Sequence, residues 1–327
     1  MINKSHRRLM FSAAVVCGAA LLPALQAVAQ DFPSRPIKFV VPFPPGSGTD
    51  TSARFFGKKL SELTGQPVVV ENRPGGNGFI GVQNVLSAPA DGYTVFVGSN
   101  STLAVNVALF KKLPYNPQTD FAPLSMMMRA PAVLAVPPAS PYKSVSDLVK
   151  AAKAQPGKLN YASGSAGYQL MAELFNDIAG VSTVHVPYKG ASEALAGVAT
   201  GTVDLTFADI TAAQGLIKGG KVRALAVASE RRAPALPEVP TTAEAGLPGY
   251  QAYVWVGAMV SAKTPKAETE KLSSLLTQIA RLPETREFYE RQGAEVMSGG
   301  AEEMRRFQAT EIELWKQIAV KAKVEQQ

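Results

Sequence analysis

The chain is 327 residues long, 46% hydrophobic, and carries a formal net charge of +7 at pH 7. This length suffices for one large hydrophobic core or two smaller ones, and the charge falls short of the basic surface of a nucleic-acid-binding protein. One cysteine, Cys17, and two histidines exclude a disulfide framework and a cysteine–histidine metal site. We therefore expect no metal and no cofactor, and a mild preference for anionic ligands.

The first residues predict a cleaved secretory signal peptide at 1–29. Lys4, Arg7 and Arg8 form a basic start, residues 9–25 are apolar, and residues 27–29 have the small-x-small pattern that a signal peptidase accepts. Because residues 1–29 hold three basic and no acidic residues, cleavage would lower the formal charge from +7 to +4. We expect a secreted protein.

Short apolar runs alternate with helical patterns along the rest of the chain. Such alternation predicts an α/β fold with parallel sheets, because strands that are apolar throughout suit a sheet covered on both faces. The predicted strands are 37–41, 68–70, 93–98, 133–136, 159–162, 184–186, 203–207, 224–228 and 253–260. The predicted helices are 52–63, 77–86, 146–154, 169–179, 191–199, 267–280 and 301–323.

Residues 37–54 predict a strand, a proline–glycine turn and the start of a helix that Thr49 or Asp50 caps. A helix start presents free N–H groups and a positive dipole end, which attract an anion. Thr51 stands where a dinucleotide fingerprint needs its third glycine, and the Walker Gly-Lys-Ser/Thr is absent. A carboxylate site and a tight turn without a ligand are the two interpretations. The candidate residues are Phe43, Gly46, Ser47, Gly48, Thr49 and Asp50.

A second turn of the same kind follows the predicted strand 159–162. It again directs a glycine-rich loop and a helix start to the carboxyl edge of a sheet, where open α/β folds bind ligands. The two turns either face each other across a cleft between two lobes or are unrelated turns of an α/β protein. The candidate residues are Ser163, Gly164, Ser165, Ala166, Gly167 and Tyr168.

Polar residues at the ends of other predicted strands are further candidates. Residues 98–102, which include Ser99 and Ser101, either offer hydroxyl groups and amides to a carboxylate or cap the next helix. Asp209 is predicted either to accept a hydrogen bond from a ligand's ammonium or hydroxyl group or to cap a helix. His185 lies in an alternating strand and is predicted to be structural, and residues 126–128, all methionine, are predicted to be core or inter-lobe packing.

Several motifs together resemble the Bug family, the periplasmic solute-binding proteins of tripartite tricarboxylate transporters. They occur in family order over nearly all of the chain after residue 30. The matching stretches are PIKFVVPFPPGSGTDTSAR, VVVENRPGGNGFIG, KLPYNPQTDFAPL, LNYAS, ELFNDIAGVSTVHVPYKGASEAL, VRALAVAS and LPEVPTTAEAGLPGY.

The resemblance implies a type II periplasmic-binding-protein fold, in which two α/β lobes with mostly parallel sheets close on a ligand. It implies one lobe of 30–132 and 229–327, a second lobe of 133–228, and crossing strands near 133–136 and 224–228. One departure from the family is a shorter second loop, which has Gln169 near the position of a family histidine. A second departure is in the first turn, where Pro45 and Ser47 stand at positions that are frequently glycine in the family.

The function that the resemblance implies is capture of a small carboxylate in the periplasm, without catalysis. The ligand would be held by the two turns, largely through backbone amides and bridging waters, with residues 99–102, which include Ser99 and Ser101, and Asp209 lining the rest of the cleft. The partners would be a membrane permease of a tripartite transporter or a sensor, and the protein a monomer. Valine at Gly48 or Gly164 is expected to obstruct the amides and leave the fold largely intact. The alternatives are a secreted hydrolase with its site in the same cleft and a structural envelope protein.

Overall fold

Strands and helices alternate through residues 32–327, which are the residues that this computed structural model describes. The predicted signal peptide lies outside them. The strands are β1 (Ile37–Val41), β2 (Val68–Asn72), β3 (Thr94–Ser99), β4 (Phe121–Val136), β5 (Asn160–Ser163), β6 (Val184–Pro187), β7 (Leu205–Asp209), β8 (Arg223–Val227), β9 (Tyr253–Ser261) and β10 (Glu295–Val296). The helices are α1 (Gly48–Thr64), α2 (Phe79–Leu86), α3 (Asn106–Leu109), α4 (Val145–Ala154), α5 (Ala166–Ala179), α6 (Ala191–Ala199), α7 (Ile210–Lys218), α8 (Lys266–Ala280), α9 (Pro283–Arg291) and α10 (Ala301–Lys321).

Strand β4 belongs to both halves of one continuous sheet and so joins them. Up to Pro131 it pairs with β9, and from Ala132 onward it pairs with β7 and β8. The first half-sheet has the order β2-β1-β3-β9-β4, with β10 beside β4, and the second has the order β4-β7-β5-β6, with β8 beside β4. We call the part of the molecule built on each half-sheet the first lobe and the second lobe.

The predicted α/β class is confirmed, and β4 and β9 add antiparallel pairs at the centre of the sheet. The outer strands are parallel, β1 to β2 and β3, and β5 to β6 and β7. The chain leaves the first lobe along β4 and returns at Ala252, whose N–H donates to the Ala228 carbonyl at 3.1 Å. The Ala252 carbonyl accepts the Ala132 N–H at 2.8 Å. The residue limits given above for the lobes stay a prediction.

Both faces of the first half-sheet are buried along β1, β3, β9 and β4, because helices cover each of them. Successive residues of a strand point to opposite faces, and Phe39 and Met127 enter one hydrophobic cluster while Val40 and Met126 enter the other. The cluster that contains Val40 and Met126 continues into the second lobe. The prediction that residues 126–128 are packing residues is confirmed by their burial. Within residues 32–327, no helix is both long and apolar enough to cross a membrane.

Candidate functional site

Helix α1 begins immediately after the proline–glycine turn, and Ser47 is its cap. Ser47 has extended backbone, and its Oγ accepts the N–H of Asp50 at 3.1 Å. The predicted caps, Thr49 and Asp50, lie inside the first helical turn instead, because Ser47 is the last residue before the helix. This cap leaves the N–H groups of Gly48 and Thr49 without a partner inside the helix.

Asp50 holds the first turn in shape. Its carboxylate accepts the N–H of Gly46 at 3.0 Å and the Asn72 Nδ2–H at 2.8 Å, and it forms an ion pair with Arg54 at 3.0 Å. The Asn72 amide also donates to the Phe43 carbonyl at 3.0 Å. Asp50 is only 3% exposed. Its oxygens are therefore engaged in supporting the turn.

The start of helix α5 is bound to the first lobe by two hydrogen bonds. Ser165 precedes the helix with extended backbone and makes no side-chain cap. The N–H of Gly167 donates to Ser101 Oγ at 3.1 Å, and the Ser101 hydroxyl donates to Ser165 Oγ at 2.8 Å. The amides of Ala166 and Tyr168, also in the first turn, have no partner inside the helix.

The two helix starts face one cavity between the lobes. The cavity measures about 10 Å³, which is room for about one water molecule. Sequence analysis missed two of its lining residues, Ala191 and Val254, and included Asn100 only as part of the segment 99–102. The complete lining is Phe43, Ser47, Thr49, Ser99, Asn100, Ser101, Gly164, Ser165, Tyr168, Ala191 and Val254.

Asp209 lies behind Tyr168 and is fully buried. It caps α7, because Oδ1 accepts the Ala212 N–H at 3.1 Å and the Thr211 hydroxyl, and Oδ2 accepts the Tyr168 hydroxyl at 2.6 Å. Burial, together with the Asp209 carboxylate, raises the pKa of Tyr168. The phenol therefore stays protonated and donates a hydrogen bond to Asp209, which fixes the ring at the wall of the cavity.

Ser163 and His185 are paired outside the cavity. Ser163 Oγ lies 2.6 Å from His185 Nε2, and burial lowers the pKa of His185. The nearby Glu173 carboxylate accepts the Tyr161 hydroxyl at 2.5 Å, and the Tyr161 ring stacks on the imidazole. The site therefore has no acid–histidine–serine relay directed at a ligand. In the described part of the chain, no group of three or more His, Cys, Asp or Glu residues is placed to hold a metal ion.

Glycines allow the lobes to approach closely. A Cβ on Gly48 would lie 2.7 Å from Asp209 Oδ1, and a Cβ on Gly190 would lie 2.5 Å from Pro44 Cδ, in each case across the cleft. Gly164 differs, because its Cβ would overlap the carbonyl carbon of Gly190 in its own lobe. The expectation that valine at Gly164 leaves the fold intact is therefore wrong.

An outer cavity of about 380 Å³ lies next to the inner one, and Gly164 lines both. The first lobe contributes its loop at residues 75–77, and the second lobe contributes residues 187–189 and Glu193. The ammonium group of Lys189 is exposed and forms no ion pair with any residue of 32–327. A wider space beside the inner cavity thus contains an available positive charge.

A family model described as the tripartite tricarboxylate transporter family receptor matches residues 52–324. The chain belongs to this family. BugT of Bordetella pertussis is 35% identical over 290 residues, 88% of this chain and 89% of BugT. These findings confirm the predicted membership of the Bug family.

Solved structures of two similar proteins extend the comparison to the fold. An R. palustris protein with adipate has a TM-score of 0.88 and 35% identity, covering 91% of this receptor and 100% of that chain. MatC from Rhodopseudomonas palustris, with bound malate, has a TM-score of 0.83 and 32% identity, covering 88% and 99%. The predicted two-lobed periplasmic-binding-protein fold is confirmed, and the hydrolase alternative is not supported.

Proposed function

We propose that this receptor closes on a small carboxylate in the periplasm and presents it to the permease of a tripartite transporter, without chemical conversion. The observation that carries this proposal is the pair of helix starts, α1 and α5, which face one cavity from opposite lobes. Each offers N–H groups that have no partner inside the helix, and each adds the positive end of a helix dipole.

Backbone groups suffice for useful affinity. A hydrogen bond to a charged group contributes about 1.5–3 kcal/mol. Three or four such bonds, from amides and from hydroxyl groups such as those of Thr49 and Ser165, reach the ~8 kcal/mol of micromolar binding after ordering costs. The site needs no arginine for this purpose.

The outer cavity is the proposed place for the rest of the ligand. The ligands of the two related structures, adipate and malate, both carry two carboxylates. A first carboxylate between the helix starts would direct the rest of such a molecule past Gly164 toward Lys189. We therefore favour dicarboxylates over monocarboxylates.

Lobe movement is required, because the inner cavity has room for about one water molecule only. The lobes must separate for a carboxylate to enter and close again around it. The closed form, which buries the ligand's bonds away from water, is the form that we propose the permease recognises. The residue limits of the two moving lobes, 30–132 with 229–327 and 133–228, belong to this proposal.

The test is thermal unfolding of the purified protein with succinate, malate, adipate and citrate, each at 1 mM, with succinamide as the uncharged control. A ligand at a hundred times its Kd stabilises by about 2.7 kcal/mol, so at least one acid should raise Tm by several degrees while succinamide does not. The acid should be recovered unchanged after prolonged incubation. No shift with any of the four acids, or conversion of the bound acid, would overturn the proposal.

A further inference from the structure

Asn100 lines the inner cavity and carries one unpaired acceptor. Its side chain is fully buried, and Oδ1 has no hydrogen-bond partner among the described residues. Nδ2 donates to the Tyr253 carbonyl at 3.4 Å. That carbonyl determines the orientation of the amide, because the reversed amide would bring two acceptors together. Oδ1 is therefore the atom without a partner.

Thr49 and Tyr168, whose amides have no partner inside their helices, also line this cavity. These amides are suited to a carboxylate, whereas Oδ1 of Asn100 repels one and requires an N–H or O–H group. Buried polar groups in folded proteins nearly always find a partner. A ligand that satisfies the whole site therefore presents a carboxylate and a hydrogen-bond donor at the same end.

The donor must lie close to the carboxylate. A Cβ on Gly167 would be 3.2 Å from Asn100 Nδ2 and 3.6 Å from Oδ1, so the Asn100 amide packs against the first turn of α5. Because the same turn supplies amides to the proposed carboxylate, a donor on the carbon next to that carboxylate would be near Oδ1. This position corresponds to a 2-hydroxy or a 2-amino acid.

The electrostatics favour the hydroxyl group over the ammonium group. Two helix starts direct positive potential at the cavity, and Asn100 is uncharged. Asp209, the nearby carboxylate, already accepts from Tyr168, Thr211 and Ala212. An ammonium group would thus be buried without a charged partner.

We propose that Asn100 is a specificity-determining residue that selects 2-hydroxycarboxylates, by accepting the 2-hydroxyl group at Oδ1. The proposal rests on the carboxylate-capture function and names its ligand class. A site that bonds a ligand hydroxyl discriminates strongly against the analogue that lacks it, because the protein group is then left unpaired.

The test compares malate with succinate, which differ only in the 2-hydroxyl group, by titration calorimetry on wild type, Asn100→Leu and Asn100→Asp. Wild type should bind L- or D-malate at least about tenfold more tightly than succinate. Asn100→Leu has nearly the same size and no acceptor, so it should bind the two acids alike. Asn100→Asp keeps an acceptor and should still prefer malate to succinate, with weaker binding of both because of its charge.

The outcomes separate this inference from the proposed function. Equal binding of malate and succinate by wild type leaves carboxylate capture standing and overturns the role of Asn100, as does a preference for malate that survives in Asn100→Leu. Tighter binding of aspartate than of malate overturns the assignment to a hydroxyl group. If none of malate, succinate, adipate and citrate binds, the proposed function itself is overturned. Succinate binding by Asn100→Leu shows that this variant is folded.

Discussion

Tyr168 joins the wall of the cavity to the buried carboxylate of Asp209 through a hydrogen bond from its hydroxyl group. Removing this hydroxyl group tests the contribution of the bond. We expect Tyr168→Phe to lower the free energy of unfolding by about 1.5–3 kcal/mol, the value of a hydrogen bond to a charged group, because Asp209 would keep only Thr211 and Ala212 as donors. Urea unfolding measures this change. Tyr188→Phe is the control, since the Tyr188 hydroxyl has no hydrogen bond to any described residue. Equal stability of both variants would contradict the assigned role.

The roles of Asp50 and Asp209 show what single residues do not reveal in a sequence. Both follow the pattern of a ligand contact, a polar residue after a strand or a glycine turn. The structure directs their carboxylates to protein donors, Asn72 in one case and Tyr168 in the other. These partners are distant in sequence, so only the folded chain shows that the carboxylates are engaged.

Helix α10 is docked on the sheet by a half-buried glutamate. Glu311 Oε2 accepts the indole N–H groups of Trp255 on β9 and Trp315, at 2.8 and 3.1 Å. Burial raises the pKa of Glu311, although the two indoles and Arg129 act in the opposite direction. The folded state therefore binds this proton more tightly than the unfolded state. The resulting stability is full at low pH and is lost as pH rises through the raised pKa.

Glu311→Gln removes the charge and keeps an oxygen that can accept both indoles. We expect this variant to gain stability relative to wild type as pH rises from 4 to 8, because wild type loses the contribution of its bound proton as pH rises through the raised pKa of Glu311. Urea unfolding at the two pH values measures the difference. Glu313→Gln, on the exposed side of α10, should show no such change. A stability difference between variant and wild type that is the same at both pH values would refute the argument.

Elements with a regular apolar pattern could be predicted, and those with mixed signals could not. Helix α6 occupies the predicted residues 191–199. Only the end of β4 was predicted, because Pro123 and Pro131 disfavour a strand. In the structure, Pro123 lies beside an irregularity in the β4–β9 register, where the regular ladder of hydrogen bonds is interrupted. Helix α9 was missed because its charged sequence lacks a long apolar stripe.

At the scale of the whole molecule, the resemblance of ordered motifs predicted two lobes and two opposed turns. It did not predict how tightly they meet. The Ser101–Ser165 bond and the contact of Gly190 with Pro44 depend on distances between parts of the chain that are far apart in sequence. Closure is therefore a property of the assembled lobes, and glycines at the contact make it possible.

Gly48 provides the test of closure. A Cβ there would lie 2.7 Å from both Asp209 Oδ1 and Thr211 Oγ1, which belong to the second lobe. Because the obstruction acts across the cleft, Gly48→Ala should hold the lobes apart and leave each lobe folded. We expect carboxylate affinity to fall by about tenfold or more, which corresponds to at least ~1.4 kcal/mol, while the free energy of unfolding without ligand changes little.

Titration calorimetry with the tightest-binding acid of the thermal panel measures the affinity of Gly48→Ala, and urea unfolding measures its stability. Gly215→Ala is the matched control, because a Cβ at Gly215 meets no atom within 4 Å and the residue lies in helix α7. This control should bind like wild type. An unchanged affinity in Gly48→Ala would mean that the lobes do not close on the ligand at the start of α1. The proposed binding of the carboxylate between the two helix starts would then be wrong.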